Sequence, residues 1–154
     1  MLLNSLHLPK NINTRETRNS GGNTLSVKDK ALEYHKKGYN CAQSVLSALA
    51  EYTNLDEITA LAVSGGFGGG LRSGEICGAI SGAVMAVGLT CPLLDPKDKN
   101  TSKKVAGLAS KSVAEAREKF GCVRCIELKG KKVKCEDMIG YMAEVAEKII
   151  NENK

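Results

Sequence analysis

Three features of this 154-residue chain predict an all-α fold, a single compact bundle of about six helices around a central helix rich in glycine and alanine. Apolar residues recur at spacings of three and four along most of the length, the period of an amphipathic helix. Helix-start signals, in which a Ser or Asn is followed three residues later by an acid or amide, stand in front of those apolar stretches. The core material is aliphatic, because the chain has no Trp and only 2 Phe and 4 Tyr within a 42% hydrophobic content. A chain of this length fits one domain, since domains commonly run about 100 to 200 residues.

Residues 1–24 are polar, rich in Asn, Ser, Thr and Gly, and without periodicity, which predicts a disordered extension carrying His7 and leaves residues 25–154 as the helical domain. This N-terminus also lacks the basic segment and unbroken apolar run of about 7 to 15 residues that secretion requires, so a cytoplasmic location is expected. Ser26 with Asp29 predicts a helix over Val27–Lys37, stopped by Gly38, in which Val27, Ala31, Tyr34 and His35 share a face. His35 there reads as a structural flank of the stripe rather than a ligand. Asn40 with Gln43 predicts a second helix from Cys41 to about Tyr52. Asn54 with Glu57 predicts a third, with Leu55, Ile58, Leu61 and Ala62 as its apolar stripe, ending near Gly65.

The loop GGFGGGLRSG then feeds a fourth helix, about Glu75 to Leu89, which Cys91 and Pro92 terminate because proline disfavours helix in the residue before it. The uncharged run from Ile76 to Leu94 has the length of a membrane span, but Pro92 cuts its helical part to about fifteen residues, too short for a hydrocarbon core of about 30 Å. Its Gly, Ala, Ser and Thr content fits a helix buried by its neighbours instead. Gly78, Gly82 and Gly88 each cost a helix roughly 0.5 to 1 kcal/mol relative to Ala, which predicts close contact with another backbone. After a polar loop over Asp95–Ser102, Val105, Ala109, Val113, Ala116 and Phe120 mark a long basic helix ending at Gly121. The stretch CVRCIELKGKKVKC reads as a helical turn and loop. Glu136 and Asp137 then open a last helix with Met138, Met142, Val145 and Ile149 on its buried face.

The net charge of +5 is concentrated: Lys97 to Lys134 contains twelve Lys or Arg against four acids. A solvated, lysine-rich helix face accounts for this run. The scarcity of aromatics argues against recognition of nucleic acid by base stacking, so no specific nucleic-acid binding is expected. The glycine loop resembles a phosphate cradle only in composition. It lacks the G-x-x-x-x-G-K-[ST] register and a preceding strand, so it reads as a tight connection to the fourth helix.

The chemistry lies in the six cysteines, which in a reducing compartment read as metal ligands or redox thiols. Cys41, Cys77 and Cys135 fall at predicted helix starts, where unpaired N–H groups and about half a positive charge favour thiolate. Cys125 has Arg124 beside it and Lys129 one turn on. Cys122 and Cys125 form a C-x-x-C, the spacing of a thiol pair or a metal knuckle, although the chain has neither a second such pair nor a nearby histidine. Any one of these cysteines serves equally well as a small core residue.

These residues carry a resemblance. Cys77-Gly78-Ala79-Ile80-Ser81-Gly82 matches the Cys-Gly-Ala-x-x-Gly motif of the C_GCAxxG_C_C family at every fixed position, and the family's other cysteines align with Cys41 in GYNCAQSV, Cys125 in CIEL and Cys135 in KCEDMI. The chain resembles that family over about Val27 to Ile150. The resemblance implies a small, mainly helical, cytoplasmic protein with a redox or metal-binding role, with many relatives encoded beside transporter genes. Cys91 and Cys122 are additional to the four-cysteine pattern.

The expectation is therefore one site formed by Cys41, Cys77, Cys125 and Cys135. They are either thiols in disulfide exchange, with Cys77 or Cys41 as the low-pKa attacking group, or ligands of zinc or an iron–sulfur centre. The alternative is a non-catalytic zinc-binding module that docks on a membrane transporter. A redox partner and a helical homodimer are compatible with either.

Overall fold

The computed structural model describes residues 24–154, so the N-terminal stretch with His7 lies outside the described residues apart from Thr24. Eight α-helices follow one another: α1 (Val27–Lys36), α2 (Cys41–Ala48), α3 (Ala50–Thr53), α4 (Glu57–Ser64), α5 (Gly78–Thr90), α6 (Lys99–Phe120), α7 (Cys125–Gly130) and α8 (Cys135–Glu152). The all-α expectation holds. The two helices beyond the six expected are short: α3 splits from α2 where Leu49 leaves helical geometry at ψ 11, and α7 forms within the basic stretch read as a turn and loop.

Side-chain caps open four of the eight helices, α1, α2, α4 and α6. Ser26 accepts from the Asp29 N–H, and Asn40 and Gln43 form a complete capping box at α2. The third cap differs from expectation, because Asp56 accepts from the Thr59 N–H while Asn54 closes α3 in left-handed geometry at φ 54. Gly121 ends α6 at φ 76, the conformation that favours glycine in this position.

Helix α5 is the centre of the bundle. It packs against α2, α8, α6 and α3, and its Ala79, Ile80, Ala83, Ala86 and Val87 are buried. Two of its three glycines are there for closeness: a Cβ on Gly82 would lie 2.7 Å from the Ala42 carbonyl oxygen, and one on Gly78 would lie 2.9 Å from that of Phe67. Gly88 departs from expectation, with nothing within 4 Å of the Cβ position. It lines an apolar groove of about 400 Å³ formed with Leu46, Leu55, Val63, Met85 and Leu89.

The stripe assigned to α4 is corrected as well. Ala60 and Ser64 are its buried residues, while Ile58 and Val63 are each 52% exposed. Small residues turned inward let α4 approach α2 closely enough for Gln43 Nε2 to donate to the Leu61 carbonyl at 2.9 Å. On α8, by contrast, Met138, Met142, Val145 and Ile149 are all buried as the sequence predicts. No helix among the described residues is long and apolar enough to cross a membrane.

Candidate functional site

Each of the four motif cysteines stands at the N-terminus of a helix. Cys41, Cys125 and Cys135 are the first residues of α2, α7 and α8, and Cys77 is the N-cap of α5. The fourth helix was expected to begin near Glu75. It begins three residues later because Glu75–Cys77 are extended and pair with the segment before α7.

That pairing is an antiparallel bridge between Ile76 and Arg124. The Cys77 N–H donates to the Val123 carbonyl at 2.9 Å and the Cys125 N–H to the Glu75 carbonyl at 2.6 Å. Across it the Arg124 guanidinium grips the Glu75 carboxylate with two hydrogen bonds, at 3.0 and 2.9 Å. The starts of α5 and α7 are thereby fixed side by side.

Helix α2 joins them through glycine. A Cβ on Gly78 would stand 3.3 Å from Cys41 Cβ, so the backbone next to Cys77 lies against the Cys41 side chain. Asn40 carries the loop as well as the cap, since its Nδ2 donates to the Gly65 carbonyl at 2.9 Å and Gly68 lies directly on its side chain. Helix α8 packs on α2 and α5, and the Cys135 thiol at its start acts on Cys41, as do those of Cys77 and Cys125.

His35 braces α1 between these helix starts. Its Nδ1 lies 3.1 Å from the Tyr39 carbonyl, two residues before Cys41, and its Nε2 lies 3.9 Å from the Glu136 carboxylate, next to Cys135. The structural part expected of His35 is thus played at the edge of the cysteine group, and nothing in its sequence position announced that.

All six cysteines are free thiols. Cys77 and Cys125 are buried, whereas Cys41 and Cys135 are half-buried. Burial pushes the Cys41 thiol well up from its ordinary value, and the neighbouring Cys135 and Cys77 thiols push it further. Burial also raises Cys77, against the Ala79 and Ile80 N–H groups that stabilise its thiolate. Depressed values were expected at these two positions. Burial prevails because full desolvation moves a group by up to about 3 to 5 pKa units, while a helix terminus contributes at most about 2 kcal/mol, roughly 1.5 units.

The two extra cysteines lie apart in role. Cys122 is buried and turns its thiol to the Phe120 carbonyl at 3.8 Å, and Cys91 caps the far end of α5 from Cys77. Four thiolates are a suitable donor set for zinc or an iron–sulfur cluster. Yet among the described residues no group of three or more His, Cys, Asp or Glu side chains is arranged to hold a metal ion.

The glycine loop lies over the group. Gly69, Gly70, Leu71 and Arg72 form a run of four left-handed residues, at φ 63, 64, 57 and 57. Gly70 must be glycine on two counts, since a Cβ there would lie 2.4 Å from the Glu75 carbonyl oxygen and 2.8 Å from Cys125 Cβ. The turn is held by Ser73 Oγ and the Glu75 N–H, both donating to the Gly70 carbonyl at 3.0 Å, and by Arg72 Nη2 donating to the Gly65 carbonyl at 3.1 Å. The glycines signalled such backbone; Leu71 and Arg72 did not.

An all-helical protein with a free thiol at the N-terminus of each of four helices defines the class: a cysteine-rich helical protein. Within that class the chain belongs to the C_GCAxxG_C_C family, described as "Putative redox-active protein (C_GCAxxG_C_C)", whose model matches residues 39–149 and so includes all four cysteines. Comparison with curated proteins and with solved structures gave no match.

Proposed function

We propose that the protein is a thiol–disulfide oxidoreductase in which Cys135 attacks, Cys41 resolves, and Cys77 and Cys125 form the buried half of the same site. What supports this reading is that Cys41 and Cys135 are both free and half-buried, that each opens a different helix, and that the Cys135 thiol acts on Cys41. The thiol reading is preferred to the metal one because no group of three or more candidate ligands among the described residues is arranged to hold a metal ion.

The chemistry balances within the pair. The Cys135 thiolate attacks one sulfur of a disulfide substrate, forming a mixed disulfide and releasing the first substrate thiolate, which takes up a proton. Cys41 then loses its proton and attacks Cys135 Sγ, forming the Cys41–Cys135 disulfide and releasing the second substrate thiol. The protein gives up two electrons and the substrate gains them; a dithiol reductant returns the protein to its starting state. Helix N-termini stabilise the charge that develops on sulfur in both steps.

The test uses the full chain, reduced and freed of reductant, with bis(2-hydroxyethyl) disulfide as substrate. One equivalent of substrate is reduced, two protein thiols disappear, and peptide mapping finds residues 41 and 135 joined. Cys135→Ser abolishes the reaction, and Cys41→Ser stops it at the mixed disulfide. Reaction surviving in both serine variants defeats the assignment. A protein that keeps six titratable thiols after exposure to the substrate defeats the redox reading as a whole.

A further inference from the structure

Two large apolar side chains stand exposed beside the cysteine group. Leu71 is 48% exposed and Ile126 is 59% exposed. Ile126 directly follows Cys125 and covers Gly74, where a Cβ would meet its own at 3.2 Å; Gly70, next to Leu71, presses on Cys125. The turn carrying Leu71 and helix α7 carrying Ile126 are in contact.

Leu71 is the more telling of the two. It holds φ 57 within the left-handed run, a conformation that costs a non-glycine residue about 1–2 kcal/mol. Its neighbours on the N-terminal side of the same run are glycines, which bear no such cost. A leucine held in a strained turn with half its surface in water gains little from the core, and strained residues of this kind cluster at ligand clamps. The charge around it is mostly positive. Arg72 is exposed next to Leu71, and with Arg124 and Glu75 paired to each other, Lys129, Lys131, Lys132 and Lys134 stand against Glu127, Glu136 and Asp137 over the stretch from Arg124 to Asp137.

We propose that Leu71 and Ile126 form the docking patch for a polypeptide substrate, an extended segment whose disulfide is flanked by apolar and acidic residues. The proposal rests on the thiol–disulfide reading above and names the substrate class of that site. Two side chains suit one or two apolar residues of an extended segment, and the basic rim complements acidic flanks and accelerates their arrival. Docked there, the segment presents its disulfide to Cys135 at the start of α8, and the exchange proceeds with the electron balance already given.

The experiment compares three substrates with the reduced full chain: a synthetic peptide with an intramolecular disulfide flanked by Leu and Glu, the same peptide with Lys for Glu, and bis(2-hydroxyethyl) disulfide. Leu71→Gly and Ile126→Ser are the variants. Leu71→Gly removes the patch residue while relaxing the turn, so it melts at or above the wild-type temperature and loss of fold cannot explain its behaviour. In both variants the rate on the acidic peptide, divided by that on the small disulfide, falls roughly fivefold. The wild type favours the Glu peptide over the Lys peptide, by a margin that shrinks in high salt. An unchanged ratio in both variants, or preference for the Lys peptide, overturns the docking patch alone. Inertness of the wild type toward every disulfide overturns the thiol reading and the patch together.

Discussion

At Cys41 the fold holds a thiol neutral against its helix terminus, and this has a consequence for stability. Its value is raised in the folded state by burial first and by the Cys135 and Cys77 thiols second; Cys77 is raised by its own burial. In the unfolded chain both ionise near the ordinary thiol value of about 8.5. The unfolded state therefore loses protons first as pH rises. The stability from these neutral thiols is fully present below about 8.5 and declines above it, where the unfolded state binds fewer protons than the native one. The expected result is a lower denaturant midpoint at pH 9.5 than at pH 7.5, with a smaller drop in Cys41→Ser than in the wild type. An equal drop in the two proteins contradicts the assignment. The cysteines were legible as a group through their motif and their places at helix starts. Their charge state was not, because desolvation depends on what covers a residue.

Among the elements, α5 divides its glycines into two kinds that sequence alone treats alike. Gly82→Ala places a methyl 2.7 Å from the Ala42 carbonyl oxygen and 3.1 Å from Val45 Cβ, so α2 and α5 must separate. Overpacking of that kind costs about 1–3 kcal/mol. Gly88→Ala meets nothing within 4 Å and gains about 0.5–1 kcal/mol in helix propensity. Urea denaturation of the two variants should give shifts of opposite sign. Asn40→Ala removes both the capping box of α2 and the bond to the Gly65 carbonyl, and should cost about 1–2 kcal/mol. It should also speed amide exchange in residues 65–70, which a purely local cap would not do. The caps at Ser26 and Asn40 were readable because each is settled within three residues of sequence. The cap at Asp56 was missed because Asn54, two residues earlier, carries the same signal and is used to end α3 instead.

For the molecule as a whole, oxidation should register as stability. A Cys41–Cys135 disulfide ties the start of α2 to the start of α8 and closes a loop through most of the described chain. Such a link stabilises by about 2–4 kcal/mol. For a protein of this size, each kcal/mol moves the melting temperature by about 2–4 °C. The oxidised protein should therefore melt several degrees above the reduced one, and that difference should vanish in Cys41→Ser. Melting curves that coincide for the two wild-type redox states would argue that the bond strains the fold. What the sequence determined by itself was the all-helical class, most helix starts, the buried face of α8, and the identity of the four motif cysteines. All of these depend on periodicity and capping among residues a few positions apart. Only the tertiary structure decided that the starts of α5 and α7 pair, which of α5's glycines touch a neighbour, that α4 turns its small residues inward, and that Leu71 takes a left-handed conformation next to the Gly70 that presses on Cys125. Those outcomes depend on contacts between segments tens of residues apart, where burial and close approach outweigh what any single stretch prefers.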